Sequence, residues 1–188
     1  MAPSGTLILL VGFAAACREA PPPPPPATLP AGPAPLELSG SGVGCLAVGA
    51  PLANLAAGCR IVADRVVPGP EGTQERRVDI VVGVDTVSAT IVGDSVWRAA
   101  VTTPNLRTSD GIGIGTTAAA LLRGRSGSRI IGGEGRLFIT LSDHCGMSFE
   151  LGPVPRDLLG LPPDQAAARI PGETRVSRIL VFGCEAGQ

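Results

Sequence analysis

The sequence contains no lysine and no tyrosine, and it has one histidine, His144, and one tryptophan, Trp97. Its net charge at pH 7 is −1, and no long basic run occurs. Nucleic acids and anionic membrane surfaces attract proteins through concentrated positive charge, so we expect neither as a direct partner. Since arginine supplies all the fixed positive side-chain charge, we attribute the missing lysine to coding bias and not to function.

Long hydrophobic runs are also missing, because no stretch reaches the roughly 20 apolar residues that a transmembrane helix needs. The uncharged stretch Leu7–Ala16 instead fits the hydrophobic region of a signal peptide. The motif that follows, Ala14-Ala15-Ala16-Cys17, resembles the lipobox of bacterial lipoproteins, in which the cysteine takes a diacylglycerol and the chain is cut just before it. The resemblance implies a signal peptide over residues 1–16 and a membrane anchor through lipid on Cys17. The alternative is an unlipidated signal cut near Ala16.

A proline-rich segment follows, with an unbroken run over Pro21–Pro26. Proline fixes φ and lacks an N–H, so this segment is expected to form a stiff polyproline II spacer. We assign residues 17–38 to a lipid-anchored linker and residues 39–188 to a single domain, whose length of about 150 residues suffices for a hydrophobic core. The alternative interpretation of the linker is a ligand for a proline-recognising domain, but such domains are mostly eukaryotic and cytosolic, so a spacer is favoured.

Four further cysteines are present: Cys45, Cys59, Cys145 and Cys184. An even number in an exported chain indicates two disulfides, for which three pairings exist. We favour Cys45–Cys59, which links a strand to a short helix, and Cys145–Cys184, which links two late strands. The chain has no C-x-x-C motif, so we expect no zinc site and no cofactor. The cysteines and the signal together predict a location in the cell envelope, on its periplasmic or extracellular face.

Two segments share one pattern, in which alternating apolar residues run into a glycine and then a short helix. The first passes through Gly49 and the second through Gly115. Thr116 is expected to cap the second helix, and Pro51 suits the first turn of the first. A β-rich stretch follows each helix, which predicts repeats over about residues 44–104 and 110–184.

Strands are predicted where apolar and polar residues alternate, first over residues 78–91 and 97–101. A three-residue loop at Gly93 pairs Ile91 with Trp97 and Thr90 with Arg98, and it keeps each face of the hairpin consistent, so we prefer it to a two-residue loop. Later strands are expected over residues 136–141, 147–151 and 175–184, and the last is expected to be central because its apolar residues are consecutive. A short helix is expected over residues 163–170. The predicted fold is α+β, a two-layer antiparallel sheet with short helices on one face and two tandem repeats.

The segments Gly49-Ala-Pro-Leu-Ala-Asn-Leu and Gly115-Thr-Thr-Ala-Ala-Ala-Leu resemble the Gly-x-[Thr/Ser]-x-x-x-[Leu/Val] helix start of BamE-type outer-membrane lipoproteins. Their tandem arrangement is similar to that of β-lactamase inhibitory proteins. The resemblance implies this fold and a binding role in the envelope, and it carries over no interface residue.

One segment, Ser142-Asp-His-Cys145, combines a nucleophile, an acid and the single histidine. Nucleophilic catalysis requires the base to reach the nucleophile, and adjacent residues rarely do so. We therefore favour a turn closed by a structural disulfide. The glycines over residues 111–115 do not form a dinucleotide or phosphate-loop motif. Arg123, Arg125, Arg129 and Arg136 are interpreted as a solvated edge, with anion binding as the alternative.

These observations predict a non-catalytic binding or scaffold protein that contacts another envelope protein, with no catalytic, cofactor or metal residues. The alternatives are an envelope hydrolase that uses His144 as its base and an inhibitor of an extracytoplasmic hydrolase. The oligomeric state stays open.

Overall fold

The structure is a computed structural model that describes residues 36–69, 72–123, 125, 127–133 and 135–184. The predicted signal peptide, the predicted lipidation site Cys17 and the proline run lie outside the described residues. Leu38, which the sequence assigns to the end of the linker, is buried in the hydrophobic core. The domain therefore begins slightly before residue 39.

Strands dominate the described part of the chain, with strand at 46% and helix at 16%, so the fold is a sheet-rich α+β fold. A 3-10 turn also occurs at Arg156–Leu158. In chain order the strands and helices are β1 (Leu38–Ser39), β2 (Gly42–Val43), β3 (Leu46–Ala47), α1 (Leu52–Gly58), β4 (Arg60–Pro68), β5 (Gln74–Val82), β6 (Asp85–Val92), β7 (Ser95–Val101), α2 (Ala118–Leu122), β8 (Arg129–Gly133), β9 (Arg136–Thr140), β10 (Met147–Leu151), α3 (Pro163–Arg169) and β11 (Val176–Val181).

The main sheet has eight strands in the order β4-β5-β6-β7-β11-β10-β9-β8, and all its neighbouring pairs are antiparallel. Strands β4–β7 form one meander and β8–β11 form another, and β7 pairs with β11 at the centre. The predicted central position of the last strand is therefore confirmed. Strands β1–β3 form a separate small sheet.

One face of the main sheet carries the core. Phe149 and Ile179, which pair across β10 and β11, are fully buried there. Each helix adds a buried side chain to the same core: Leu55 from α1, Leu121 from α2 and Ala166 from α3. Because neighbouring residues of a strand point to opposite faces, the other face carries the polar members of each alternation. We call that other face the outer face.

The hairpin of β6 and β7 uses a two-residue turn, not the predicted three-residue loop. Val92 pairs with Ser95, and Ile91 pairs with Val96, so the predicted pair of Ile91 with Trp97 is wrong. The predicted pair of Thr90 with Arg98 is present, because Trp97 is an extra residue in a β-bulge. The bulge restores the register that keeps both faces consistent, and it exposes Trp97, which the simple alternation places in the core.

The outermost strands β4 and β8 were not predicted. Edge strands lack the strong apolar alternation of central ones, and Val62 and Val66 on β4 are exposed. Arg129 begins β8 at the other edge, so the interpretation of this arginine as an edge residue agrees with the structure. The stretch predicted over residues 78–91 is two strands, β5 and β6, which are separated by a turn at Gly83 and Val84. Strands β7, β9, β10 and β11 and the helix at residues 163–169 lie close to their predicted bounds.

Helices α1 and α2 are reached through the predicted glycines, both of which have positive φ: 84° at Gly49 and 87° at Gly115. Such values strain other residues, so glycine suits both turns. The cap of α2 is Thr117 and not Thr116, because the Thr117 hydroxyl accepts a hydrogen bond from the Ala120 N–H at 3.2 Å. Pro51 precedes α1 as its N-cap residue.

The four cysteines form two disulfides, in the pairing that the sequence predicts. Cys45 bonds to Cys59 with 5.7 Å between their Cα atoms. Cys145 bonds to Cys184 with a Cα separation of 5.3 Å, just after the C-terminal end of β11. Disulfides persist in oxidising compartments, so this chemistry is compatible with an extracytoplasmic location.

Candidate functional site

The outer face of the main sheet holds an open groove of about 610 Å³. It crosses the sheet from the end of β4 on one side to the end of β8 on the other, and we call it the sheet groove. Its lining combines arginines with small polar residues and a few apolar ones. The lining residues are Pro68, Gly69, Glu75, Arg77, Ser88, Thr90, Arg98, Ala100, Thr102, Gly133, Arg136, Phe138, Arg178, Leu180 and Phe182.

In the first meander, one carboxylate is shared by two arginines. Glu75 lies 3.4 Å from an Arg98 guanidinium nitrogen and 3.6 Å from one of Arg77. Arg98 also donates from Nε to the Thr90 hydroxyl at 3.3 Å. These are long contacts, at the weak end of hydrogen-bond geometry, so Arg98 keeps donor capacity toward the groove.

In the second meander, one carboxylate is again shared by two arginines, and the contacts are shorter. Glu150 is only 5% exposed. It accepts from Arg178 Nε at 2.6 Å and also pairs with Arg136. A buried carboxylate needs such partners, because an unpaired buried charge is costly. Together the four arginines and two glutamates leave an excess of positive charge in the groove.

An aromatic pair adjoins the charged groups. The rings of Trp97 and Phe182 meet edge to face, with 6.0 Å between centroids. The Arg98 guanidinium carbon lies 4.7 Å from the Trp97 ring centroid, within the range of a cation–π contact. Trp97 is 46% exposed and Phe182 is 37% exposed, so both present apolar surface to solvent beside the groove. Aromatic residues and arginine are the residue types most enriched at protein interfaces.

His144 lies at a second place, in a cluster that joins two loops. Its Nδ1 is 2.9 Å from Asp143 and its Nε2 is 3.1 Å from Asp110. Arg125 pairs with both of these carboxylates, at 2.5 Å in the case of Asp110. A cavity of about 350 Å³ opens beside these groups. Both ring nitrogens face carboxylate oxygens, so neither points to a nucleophile.

The cluster lowers the pKa of both carboxyl groups. Burial by itself raises the pKa of Asp110, but hydrogen bonds from Thr108, Arg125 and His144 outweigh it and hold the pKa well below the usual range. The hydrogen bond from His144 lowers the pKa of Asp143. Both acids are therefore stabilised in their charged form, which makes the cluster an electrostatic lock between residues 108–111 and 141–146.

Within the Ser142–Cys145 segment, the side chains of His144 and Cys145 have different partners. The sulfur of Cys145 is bonded to Cys184, so it is not a free thiol that His144 could activate. Gly111 and Gly115 both have positive φ and serve turns. Of the four arginines in the predicted stretch, Arg125 joins the lock, Arg136 lines the groove and Arg129 lies on the β8 edge.

Sequence reasoning did not identify the sheet groove. Glu75, Arg98 and Arg178 are far apart along the chain, and only the pairing of β7 with β11 brings the two meanders together. A signal was present, since Arg98 lies between Trp97 and Ala99 and Arg178 directly precedes the apolar run that begins at Ile179. Without the strand order, however, these positions cannot be assigned to one surface.

Within the described ranges, no three or more His, Cys, Asp or Glu side chains come together in a way that would hold a metal ion. The helices in that part of the chain are all too short or too polar to cross a bilayer. No protein-family model and no curated protein matches the sequence.

Among solved structures, the chain is similar to the crystal structure of the uncharacterized protein YfeY from Escherichia coli. The TM-score is 0.56 at 18% sequence identity, and the match covers 78% of this chain and 99% of the other. At this identity the likeness shows a shared fold.

Proposed function

We propose that this protein is an envelope lipoprotein, anchored through Cys17, that binds another envelope protein through the sheet groove without catalysis. The observation that carries the proposal is the outer face itself, where exposed aromatic rings and incompletely paired arginines adjoin an open groove across the central strands. A groove of this kind offers the residue types that dominate binding energy at interfaces.

Support for the location comes from chemistry and from the sequence. The two disulfides suit an oxidising compartment. The lipobox-like motif and the proline run in the sequence support a lipid anchor that is followed by a spacer. A tethered domain meets a partner in the same membrane at high effective concentration, so even a modest intrinsic affinity suffices for function.

We further propose that the domain is a tandem repeat with the groove on its pseudo-twofold axis. Two hydrogen bonds recur in each half: Gly49 N–H donates to the Val96 carbonyl at 2.8 Å, and Gly115 N–H donates to the Val176 carbonyl at 2.9 Å. Both meanders have a bulge at the matching place, after Thr90 and after Glu150. This correspondence supports the proposed resemblance to tandem envelope proteins. Inhibition of an extracytoplasmic hydrolase is one form that the binding role could take.

Photo-crosslinking in the living host tests the binding role. A photoreactive amino acid replaces the exposed groove residue Thr102 in one variant and the exposed Ala168 on α3 in a control. We expect a protein adduct from position 102 that is absent from position 168. Equal adducts from both positions, or none from position 102, would contradict a partner site in the groove.

Intact mass of the membrane-extracted protein tests the anchor. We expect a mature chain that begins at Cys17 and carries a diacylglyceryl group, and a Cys17→Ser variant that loses it. A mature chain with an unmodified Cys17 thiol would show that the tether is wrong while leaving the groove proposal open.

A further inference from the structure

We infer that the sheet groove recognises an extended acidic protein segment, which places one carboxylate at Arg98 and a second at Arg178. This inference rests on the proposed binding function and names the chemistry of the partner. It follows from the charge of the groove, the spacing of the two arginines and the aromatic surface beside them.

The charge of the groove is the first step. Among the described residues, Arg77 and Arg98 share Glu75, and Arg136 and Arg178 share Glu150. Each meander thus contributes one unbalanced positive charge, although the whole chain has a net charge of −1. A partner with negative charge complements this surface, and arginine binds carboxylates in a planar, bidentate geometry.

The strand register sets the spacing. Ala100 and Leu180 are directly paired across β7 and β11. Arg98 and Arg178 are each two residues from this pair along their own strands, and they lie on the same face. Because the strands are antiparallel, the Cα atoms of the two arginines are separated diagonally by about 14 Å, from the usual rise and strand spacing.

That spacing suits an extended partner. In a β-strand, residues four positions apart lie on the same face at about 14 Å, whereas one turn of helix separates side chains by only about 5 Å. An extended segment with two acidic residues four positions apart can therefore reach both arginines. A single small anion cannot span them.

The aromatic pair adds contact area at one end of this path. Trp97 lies under the Arg98 guanidinium, and Phe182 meets Trp97 at its edge. A carboxylate held by Arg98 brings its neighbouring backbone over these rings, where apolar contact excludes water and strengthens the ion pair. The arrangement favours a protein segment with apolar neighbours over a simple polyanion.

The probe for the test is a synthetic peptide of about ten residues, rich in Val and Thr, with two glutamates four positions apart. Its control has glutamine at both positions. Since Trp97 is the single tryptophan of the chain, its fluorescence reports occupancy directly. We expect saturable binding of the acidic peptide, with an affinity at least tenfold above that of the control, and weaker binding at higher salt.

Groove variants give effects of opposite sign. Arg98→Gln and Arg178→Gln should each weaken binding at least fivefold, and in the second variant Glu150 keeps Arg136 as its partner. Glu75→Gln should tighten it severalfold, because it removes the carboxylate that competes for Arg98. Arg156→Gln, at an exposed position on the 3-10 turn, is the control and should leave binding unchanged. Unfolding curves for each variant identify any that fails to fold.

Three results would overturn the inference: equal binding of both peptides, unchanged binding in Arg98→Gln, or weaker binding in Glu75→Gln. Equal or stronger binding to vesicles of phosphatidylcholine and phosphatidylglycerol in equal parts would also overturn it and indicate a lipid surface. If the crosslink from position 102 persists in Arg98→Gln, the groove still has a partner and only its acidic chemistry is wrong. If that crosslink is absent from the start, the binding function itself fails.

Discussion

At the scale of single residues, the lock around His144 shows how charge fixes two loops. Asp110 and Asp143 receive hydrogen bonds from His144 and Arg125 at once, although the two carboxylates lie on loops that are far apart in the chain. The lowered pKa of Asp110 makes its contribution to stability dependent on pH. That contribution is complete above the unfolded-state pKa and is lost as the pH falls below it.

We expect Asp110→Asn to lower the free energy of unfolding at pH 7 by about 1 kcal/mol, a modest cost because the side chain is 39% exposed. The difference from wild type should shrink as the pH falls below about 4, because the Asp110 carboxyl then takes up a proton in the unfolded state while it stays charged in the folded state. Urea unfolding at pH 7 and at pH 3 measures both values. Glu173→Gln, on an exposed loop, is the control, and a difference that stays constant with pH would argue against the lock.

At the scale of elements, the sequence pattern predicts the central strands better than the edge strands, although it misses the turn between β5 and β6. Val78 and Ile80 are buried and alternate with polar residues, so β5 is visible in the sequence. The edge strand β4 exposes Val62 and Val66, and its pattern therefore carries little information. The bulge at Trp97 was also invisible, because it depends on how turn length and sheet register are reconciled in three dimensions.

The cap of α2 provides a test at this scale. Thr117→Ala should lower the free energy of unfolding by about 1 kcal/mol, because the Ala120 N–H loses its acceptor at the start of a very short helix. Thr117→Ser keeps a hydroxyl and should recover most of that loss. Chemical denaturation of the wild type and the two variants measures these differences. An equally large loss of unfolding free energy in the serine variant would show that the methyl group of Thr117, and not its hydroxyl cap, matters.

The disulfides provide a second test. Removing Cys145–Cys184 by alanine substitution should cost about 4 kcal/mol, and removing Cys45–Cys59 about 3 kcal/mol, since the loop entropy lost on crosslinking rises slowly with loop length. The sequence separations are 39 and 14 residues, respectively. Thermal unfolding of the two double-alanine variants compares them, and a clearly larger loss for the shorter loop would contradict this ranking.

At the scale of the whole molecule, one sheet joins both meanders, and its central pair β7 and β11 comes from opposite halves of the domain. The predicted α+β class and the disulfide pairing follow from local patterns. The sheet groove does not, because Arg98 and Arg178 become neighbours only through this long-range pairing. Strand order between distant segments is the information that local periodicity lacks.

The shared sheet predicts a single cooperative transition. Val101 and Ile179 pair at the centre and are both fully buried, so neither meander can unfold without exposing the core of the other. In urea, Trp97 fluorescence and far-UV circular dichroism should give the same midpoint. Two separate midpoints would mean that the halves are independent units.

Gly40 has a consequence for how the chain is made. A Cβ at this glycine would lie 1.9 Å from the Cys145 carbonyl oxygen and 2.8 Å from the Cys184 sulfur, so the segment that contains it rests directly against the second disulfide. Gly40 precedes Cys184 in the chain, so it is synthesised well before it. The segment around Gly40 can therefore reach its final packing only after Cys184 has been synthesised.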